Sequence, residues 1–202
     1  MASDTGTDLA APARRGPYAK TAKRRQEIVD AATNVFATRG YHGGSLRDIS
    51  RQIGLSLTSV VHHFPAKSDL LAAVLENADH SADWFLDRAR AHGVKSAILD
   101  VVRHNLDRPE LLRLLAIVSS EASDPEYPAH GWFVKRYENL AAELERDIAH
   151  DIQQGRVPSD VDPEQAAHLI IAVWDGLQLQ WLLDPAQDMP GRMDRALDRL
   201  LG

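Results

Sequence analysis

The sequence predicts an all-α protein of about nine helices, in which a small basic three-helix unit leads into a larger helical body. Three observations predict it. From residue 21 onward apolar residues recur at spacings of three and four, the period of a helix buried on one face. No stretch alternates long enough to read as a strand. Gly and Pro clusters cut the chain into segments of helical length. With 202 residues, 44% of them apolar, the chain can bury a sizeable core.

Residues 1–20 are rich in Ala, Gly, Pro and Thr without periodicity, so a disordered arm carrying Arg14, Arg15 and Lys20 is expected there. A first helix is expected over residues 22–39, with Ile28, Ala31, Ala32, Val35 and Phe36 inward, and Gly40 follows where a helix end favours a left-handed residue. Ser45 stands three residues before Asp48, a capping-box-like start for a short helix with Leu46, Ile49 and Ile53 on one face, which Gly54 ends. Ser56 can cap a third helix with Val60 and Phe64 inward, and Pro65 breaks it. Longer helices are predicted over 67–91, 94–106, 109–122, 130–154, 163–183 and 192–201. The expected organisation is an arm at 1–20, a small helical domain at 21–67 and a body at 68–202.

The net charge of −6 is unevenly divided. Residues 1–67 hold ten Lys/Arg against five acids, and the remainder 13 against 24. A basic front on an acidic body is the footprint of a molecule that meets a polyanion with one end. A basic disordered tail on an acidic protein would give the same arithmetic. There is no cysteine, which excludes disulfides, thiolate nucleophiles and cysteine-built zinc sites. No uninterrupted apolar run approaches the roughly 18 residues of a membrane span, and residues 1–20 lack the apolar core of a secretion signal. A cytoplasmic protein without membrane contact is expected.

Two short helices joined by a tight turn at Gly54-Leu55, with a longer helix before them, are the parts of a helix-turn-helix. In that motif the apolar residues fix the angle between the helices, while the exposed face of the last helix stays small enough to enter a major groove. Here that face offers Ser56, Leu57, Thr58, Ser59, His62 and His63. Arg47 can reach a guanine edge or a phosphate, and Lys67 and the Lys23-Arg24-Arg25 cluster lie at the two ends, where phosphates would pass. The competing reading is a three-helix packing unit with a merely solvated polar face. His62 and His63 do not suggest metal, because adjacent helical residues point about 100° apart.

Residues 24–75 resemble the DNA-binding domain of TetR-family transcriptional regulators, through Ile28, Phe36, Gly40-Tyr41, Ile49, Gly54-Leu55-Ser56, Phe64, Lys67 and Leu70-Leu71 at preserved spacings. The resemblance implies that Ser45, Arg47, Leu57, Thr58, Ser59, Val61 and His63 stand at DNA-contacting positions. It also implies that Lys67 binds phosphate at the start of the fourth helix. Val61 replaces a common aromatic and Leu57 a frequent polar residue, which leaves an apolar surface suited to a thymine methyl.

In the body, residues 168–183 are apolar nearly all round, as expected of a helix buried against two surfaces. The resemblance implies that the last two helices pair with a second subunit in a four-helix bundle. The residues expected at that homodimer interface are Leu169, Val173, Gly176, Leu177, Gln180, Trp181, Leu197 and Leu200. Aromatic residues beside isolated polar groups suggest an internal pocket, with Trp84, His104, Ser119, Ser120, Trp132, Trp174 and Gln178 as candidates. An acidic, aromatic-lined pocket would suit a neutral or cationic lipophilic molecule.

Catalysis finds little support. Asp100 with His104 and Glu164 with His168 are i, i+4 pairs that helices supply by chance, and no HExxH, nucleophile elbow or phosphate-cradling loop accompanies them. The sequence therefore points to no enzyme, no cofactor and no metal. It points to a homodimeric, ligand-responsive repressor that releases a palindromic double-stranded operator when a small, largely apolar effector binds the body. The alternative is a protein-interaction module on the same scaffold with little specific DNA binding.

Overall fold

The computed structural model describes residues 17–80, 89 and 91–202. Among them the structure is helical throughout, with no strand.

The helices of the head are α1 (Pro17–Gly43), α2 (Leu46–Gln52) and α3 (Leu57–His63), and α4 (Lys67–His80) leads from it into the body. Helix α1 begins at Pro17, ahead of the expected start at residue 22, so residues 17–20 of the predicted arm are helical. Proline is suited to a first helical position, and Ala19, Lys20, Ala22 and Lys23 are good helix formers. The rest of the arm, residues 1–16, lies outside the described residues. Near its other end α1 kinks at Gly40, whose φ of 68° and ψ of 174° suit glycine alone. Helix α2 ends as the sequence predicts: Gly54 takes φ 65°, the Leu55 N–H reaches the Ser50 carbonyl at 2.9 Å and the Gly54 N–H reaches Arg51 at 3.3 Å, a Schellman motif. Asp69 closes the start of α4 by accepting from the Ala66 N–H at 3.0 Å.

The body comprises α5 (Val94–Leu106), α6 (Pro109–Glu121), α7 (His130–Gln153), α8 (Pro163–Leu183) and α9 (Met189–Leu200). Asp162 caps α8 by accepting from the N–H groups of Glu164 and Gln165. Helix α9 starts three residues before the predicted 192. Asp188 caps it through the Gly191 N–H at 2.9 Å, and Pro190 fits the first turn, so Gly191 is no breaker there. Asp151, buried near the end of α7, accepts from the Val94 N–H at 2.8 Å and from Arg156 at 3.1 and 2.6 Å, fastening the start of α5.

Two apolar clusters form the interior. The first gathers Ile28, Phe36, Ile49 and Val60 of the head and Leu70 and Leu71 of α4, together with Leu111, Leu114 and Val118 of α6 and Tyr127 and Phe133 beyond it. The second gathers Ile98 and Val102, Leu144 and Ile148, Ala167 and Ile170, and Met193 and Leu197. Helix α6 contributes to the first cluster, packs along α1 and also touches α5 and α8, whose residues form part of the second. Helix α8 is long and apolar enough to cross a membrane by length and composition. Polar residues such as Asp175 and Gln178 interrupt its apolar run, as the sequence expectation has it. Ala166, Ala167, Ile170, Ile171 and Gln178 of that helix are buried within the fold.

Candidate functional site

The head's reading surface is built on α2 and α3. With Val60 fully buried, 100° per residue aims Thr58 and His62 most directly outward. Leu57 and Val61 lie on one flank, 37% and 38% exposed, and the half-buried Ser59 and His63 lie on the other. Arg47 is exposed, and its guanidinium has no protein partner among the described residues. Two expected contact residues have hydroxyls committed elsewhere. Ser45 Oγ accepts from the Asp48 N–H at 3.1 Å and donates to the Asp48 carboxylate, capping α2. Ser56 Oγ accepts from the Ser59 N–H at 3.1 Å, capping α3. The Ser45 hydrogen bond, helped by Arg39 and Arg51, holds the Asp48 carboxyl below the usual carboxylate range. Arg25 lies 4.9 Å from the centre of the Phe64 ring, extending the basic rim.

Lys67, expected on phosphate, is half-buried and points its ammonium toward the end of α1. Its ammonium donates to the carbonyls of Tyr41 (2.8 Å) and Gly44 (3.1 Å) and sits 4.2 Å from the Tyr41 ring centre. A cation belongs at the carbonyl end of a helix, so Lys67 clamps the start of α4 to the end of α1. Beside it, Glu121 at the end of α6 accepts from the Tyr41 N–H at 3.2 Å and from the Tyr127 hydroxyl at 2.7 Å. The Tyr41 and Tyr127 rings meet edge to face at 5.5 Å. Burial, reinforced by the Glu121 hydrogen bond, pushes the Tyr127 hydroxyl's pKa up, so it remains a donor. A Cβ at Gly40 would stand 2.5 Å from Glu121 Oε1, and only glycine lets the carboxylate approach this closely.

Between α4 and α8 lies a cavity of about 560 Å³, within the range of small-molecule sites. Its walls are apolar side chains such as Ile98, Leu115, Phe133 and Ile170, with a few polar groups among them. Of the expected pocket residues, Ser119, Ser120, Trp174 and Gln178 line it. Trp174 Nε1 donates to Gln178 Oε1 at 3.1 Å, and Gln178 Nε2 donates to the Leu112 carbonyl at 3.4 Å. His104 does not line it. It is exposed on α5, and Asn105, one step round the helix, faces the cavity instead. Nor does Trp132, which packs edge-on against Phe133 at 4.8 Å with the Arg136 guanidinium over its ring at 5.4 Å. Trp84 lies outside the described residues.

Tyr137 and Asp175 also line the cavity, together with Asp79, Arg136 and Glu143, three charged groups that sequence reasoning missed. Arg136 pairs with Asp79, and burial lowers its pKa. The Tyr137 hydroxyl donates to Asp175 Oδ2 at 2.8 Å. Burial raises the Asp175 carboxyl, opposed by Tyr137 and Arg136, and burial with the Asp175 hydrogen bond pushes Tyr137 up to about 12. Among the described residues no cluster of three or more His, Asp or Glu side chains could hold a metal ion.

A model of bacterial regulatory proteins of the tetR family matches residues 28–74, and a model of the C-terminal part of BetI-type transcriptional repressors matches residues 100–202. The chain belongs to the TetR family of transcriptional regulators. The HTH-type transcriptional repressor Rv1474c of Mycobacterium tuberculosis is 29% identical over 181 residues, covering 88% of this chain and 90% of that one. The HTH-type transcriptional repressor AcnR of Corynebacterium efficiens is 30% identical over 164 residues, covering 78% and 81%. A transcriptional regulator from Saccharomonospora viridis, solved in complex with choline, shares the fold with a TM-score of 0.72 at 23% identity, covering 88% of this chain and 95% of that one.

This TetR-family chain presents an outer stripe along α8. Leu169, Gly176 and Gln180 are exposed there, and Val173 is half-buried. Leu179 and Leu183, which the sequence reading left out, add 52% and 79% exposed apolar surface. Leu177 and Trp181 are half-buried and pack on the second cluster. On α9, Leu200 is half-buried, but Leu197 is fully buried and is not available to a partner. The amphipathic spacing showed that Leu197 faces inward; only the fold shows that inward means the protein's own core.

Proposed function

We propose that this regulator is a homodimeric repressor whose reading heads, residues 21–67 of each subunit, hold a palindromic operator. A small lipophilic molecule entering the cavity of the body, residues 68–202, releases that operator. The observation that carries the reading is the course of α6. Leu111, Leu112, Leu115, Ala116, Ser119 and Ser120 line the cavity, and the next residue, Glu121, accepts from Tyr41 at the base of the head. A molecule that repacks α6 thus acts on the segment where α1, α2 and α4 are tied together. A coupling of about 1–3 kcal/mol suffices to change operator occupancy roughly 5- to 150-fold.

The base-reading groups in this proposal are Arg47, Leu57, Thr58, Ser59, Val61, His62 and His63. Ser45 and Ser56 position the two helices, and Lys67 keeps α4 in register. The dimer face is Leu169, Val173, Gly176 and Gln180 with Leu179, Leu183 and Leu200, and Leu177 and Trp181 stand at its edge. The exposed leucines of α8 support it, because apolar surface on that scale is expected to be covered. The cavity chemistry favours a neutral or cationic effector: among the described lining residues three carboxylates, Asp79, Glu143 and Asp175, stand against one cation, Arg136, which pairs with Asp79. The choline complex of the related fold agrees with that preference.

The test is selection of bound duplexes from a random pool at near-physiological salt, where bulk charge attraction no longer dominates. An enriched palindrome is expected, together with a dimer in solution. Its absence from a folded dimer would overturn the DNA reading in favour of a protein partner.

A further inference from the structure

We propose that Leu57 and Val61 are specificity-determining residues of the head, forming an apolar element that selects thymine methyl groups in the major groove. The inference rests on the DNA-binding reading above. The two side chains stand one helical turn apart on the same flank of α3, 37% and 38% exposed. Two hydroxyls that could otherwise read polar base edges nearby are withdrawn, since Ser45 and Ser56 close helix caps. Lys67 is drawn inward to the Tyr41 and Gly44 carbonyls. On this flank of α3, what faces outward beside Thr58 and His62 is therefore the apolar pair.

A protein partner could also cover such a pair, but charge favours DNA. Residues 1–67 hold ten Lys/Arg against five acids, and Arg25 and Arg47 stand around the same helices. The major-groove edge of a base pair carries one apolar group, the thymine C5 methyl, so an apolar pair set among cations matches that feature. Four residues of helix advance about 6 Å, close to two base steps of about 3.4 Å. The thymines read by Leu57 and Val61 are thus expected within two or three neighbouring positions of each half-site.

The experiment starts from the enriched duplex and replaces its thymines by uracil one at a time, which removes the methyl and leaves every hydrogen-bonding group. Each contacted methyl should weaken binding about fourfold, the equivalent of burying one carbon at about 0.8 kcal/mol. In Leu57→Ala and Val61→Ala proteins, checked for unchanged melting temperature, the difference between thymine and uracil should vanish at one position each. Equal binding of uracil and thymine duplexes across the half-site would overturn the proposal. So would a difference that survives in both variants, which would assign it to DNA shape. Failure to enrich any duplex would overturn the DNA reading itself and this inference with it, a result distinguishable from an operator indifferent to methyl groups.

Discussion

The backbone N–H of Tyr41 donates to the carboxylate of Glu121, 80 residues further along the chain, at 3.2 Å. The same oxygen takes the Tyr127 hydroxyl at 2.7 Å. One side chain from the end of α6 thereby fixes the kink that ends α1 and the loop that leads into α7.

Glu121→Ala should leave the Tyr41 N–H and the Tyr127 hydroxyl without their acceptor, at a cost of about 1–3 kcal/mol for each group that stays buried. The expected result is a lower melting temperature and an operator affinity that responds weakly to effector, with effector affinity little changed. Glu121→Gln, which keeps one acceptor, should recover part of both. Titration of operator with and without effector, beside calorimetry, separates loss of coupling from loss of fold.

Gly40→Ala tests how close that approach is. The new Cβ would stand 2.5 Å from Glu121 Oε1 on a backbone at φ 68°, ψ 174°. Strain of about 1–3 kcal/mol follows from the backbone alone. Thermal unfolding should show at least that loss, and combining it with Glu121→Ala should relieve the steric part while leaving the backbone part.

Arg47→Ala and Lys67→Ala should separate reading from scaffolding. Arg47 is exposed and its side chain makes no hydrogen bond or ion pair among the described residues, so its loss should weaken operator binding at a nearly unchanged melting temperature. Lys67 makes two charge-assisted hydrogen bonds inside the head, each worth about 1.5–3 kcal/mol. Its loss should lower the melting temperature. A Lys67→Ala protein with unchanged stability and a shallower salt dependence would return Lys67 to the phosphates.

These residues show what the sequence made legible. Ser45, Gly54, Ser56 and Asp162 act within three residues of themselves, so their caps and turns could be read directly, as could the periodic Ile28, Ala32 and Phe36. The start of α9 lies ahead of the predicted residue 192 because Asp188 caps the helix and Pro190 and Gly191 fit its first turn, although Pro and Gly ordinarily interrupt a helix. The links of Glu121 to Tyr41 and of Arg136 to Asp79 join segments distant in sequence, and no local pattern announces them. The cavity was half legible: Trp174 and Gln178 share one helix face, whereas the position of Asn105 in place of His104 depends on how α5 is rotated in the fold.

Ser45→Ala should cost about 1 kcal/mol at neutral pH as the cap of α2 is lost. It should also narrow the acid range of the head. Asp48 titrates below the usual carboxylate range, so its contribution is present above the unfolded pKa of about 3.9 and is lost as pH falls through the lower folded value. Removing the hydroxyl that contributes most to the shift should move acid unfolding to higher pH.

Asp175→Asn should act in the opposite sense. A raised carboxyl pKa favours the protonated folded state, so that stability is present at low pH and lost as pH rises through the folded value. The amide should therefore raise the melting temperature at pH 7, and the gain should disappear below the carboxylate range. In the same protein a lipophilic quaternary ammonium probe should bind more weakly than in the parent, while a neutral probe of equal shape should bind alike.

The first apolar cluster draws Leu111, Leu114, Val118, Tyr127 and Phe133 from the body into the interior of the head. The reading unit is consequently not a portable cassette. A chimaera spliced after residue 67 inherits one half of an interlocked surface and must match it to a stranger's α6. Recombination within the family should therefore tolerate joints only when α6 and the segment up to Phe133 travel with the head, and engineered sensors that exchange effector specificity should be cut accordingly.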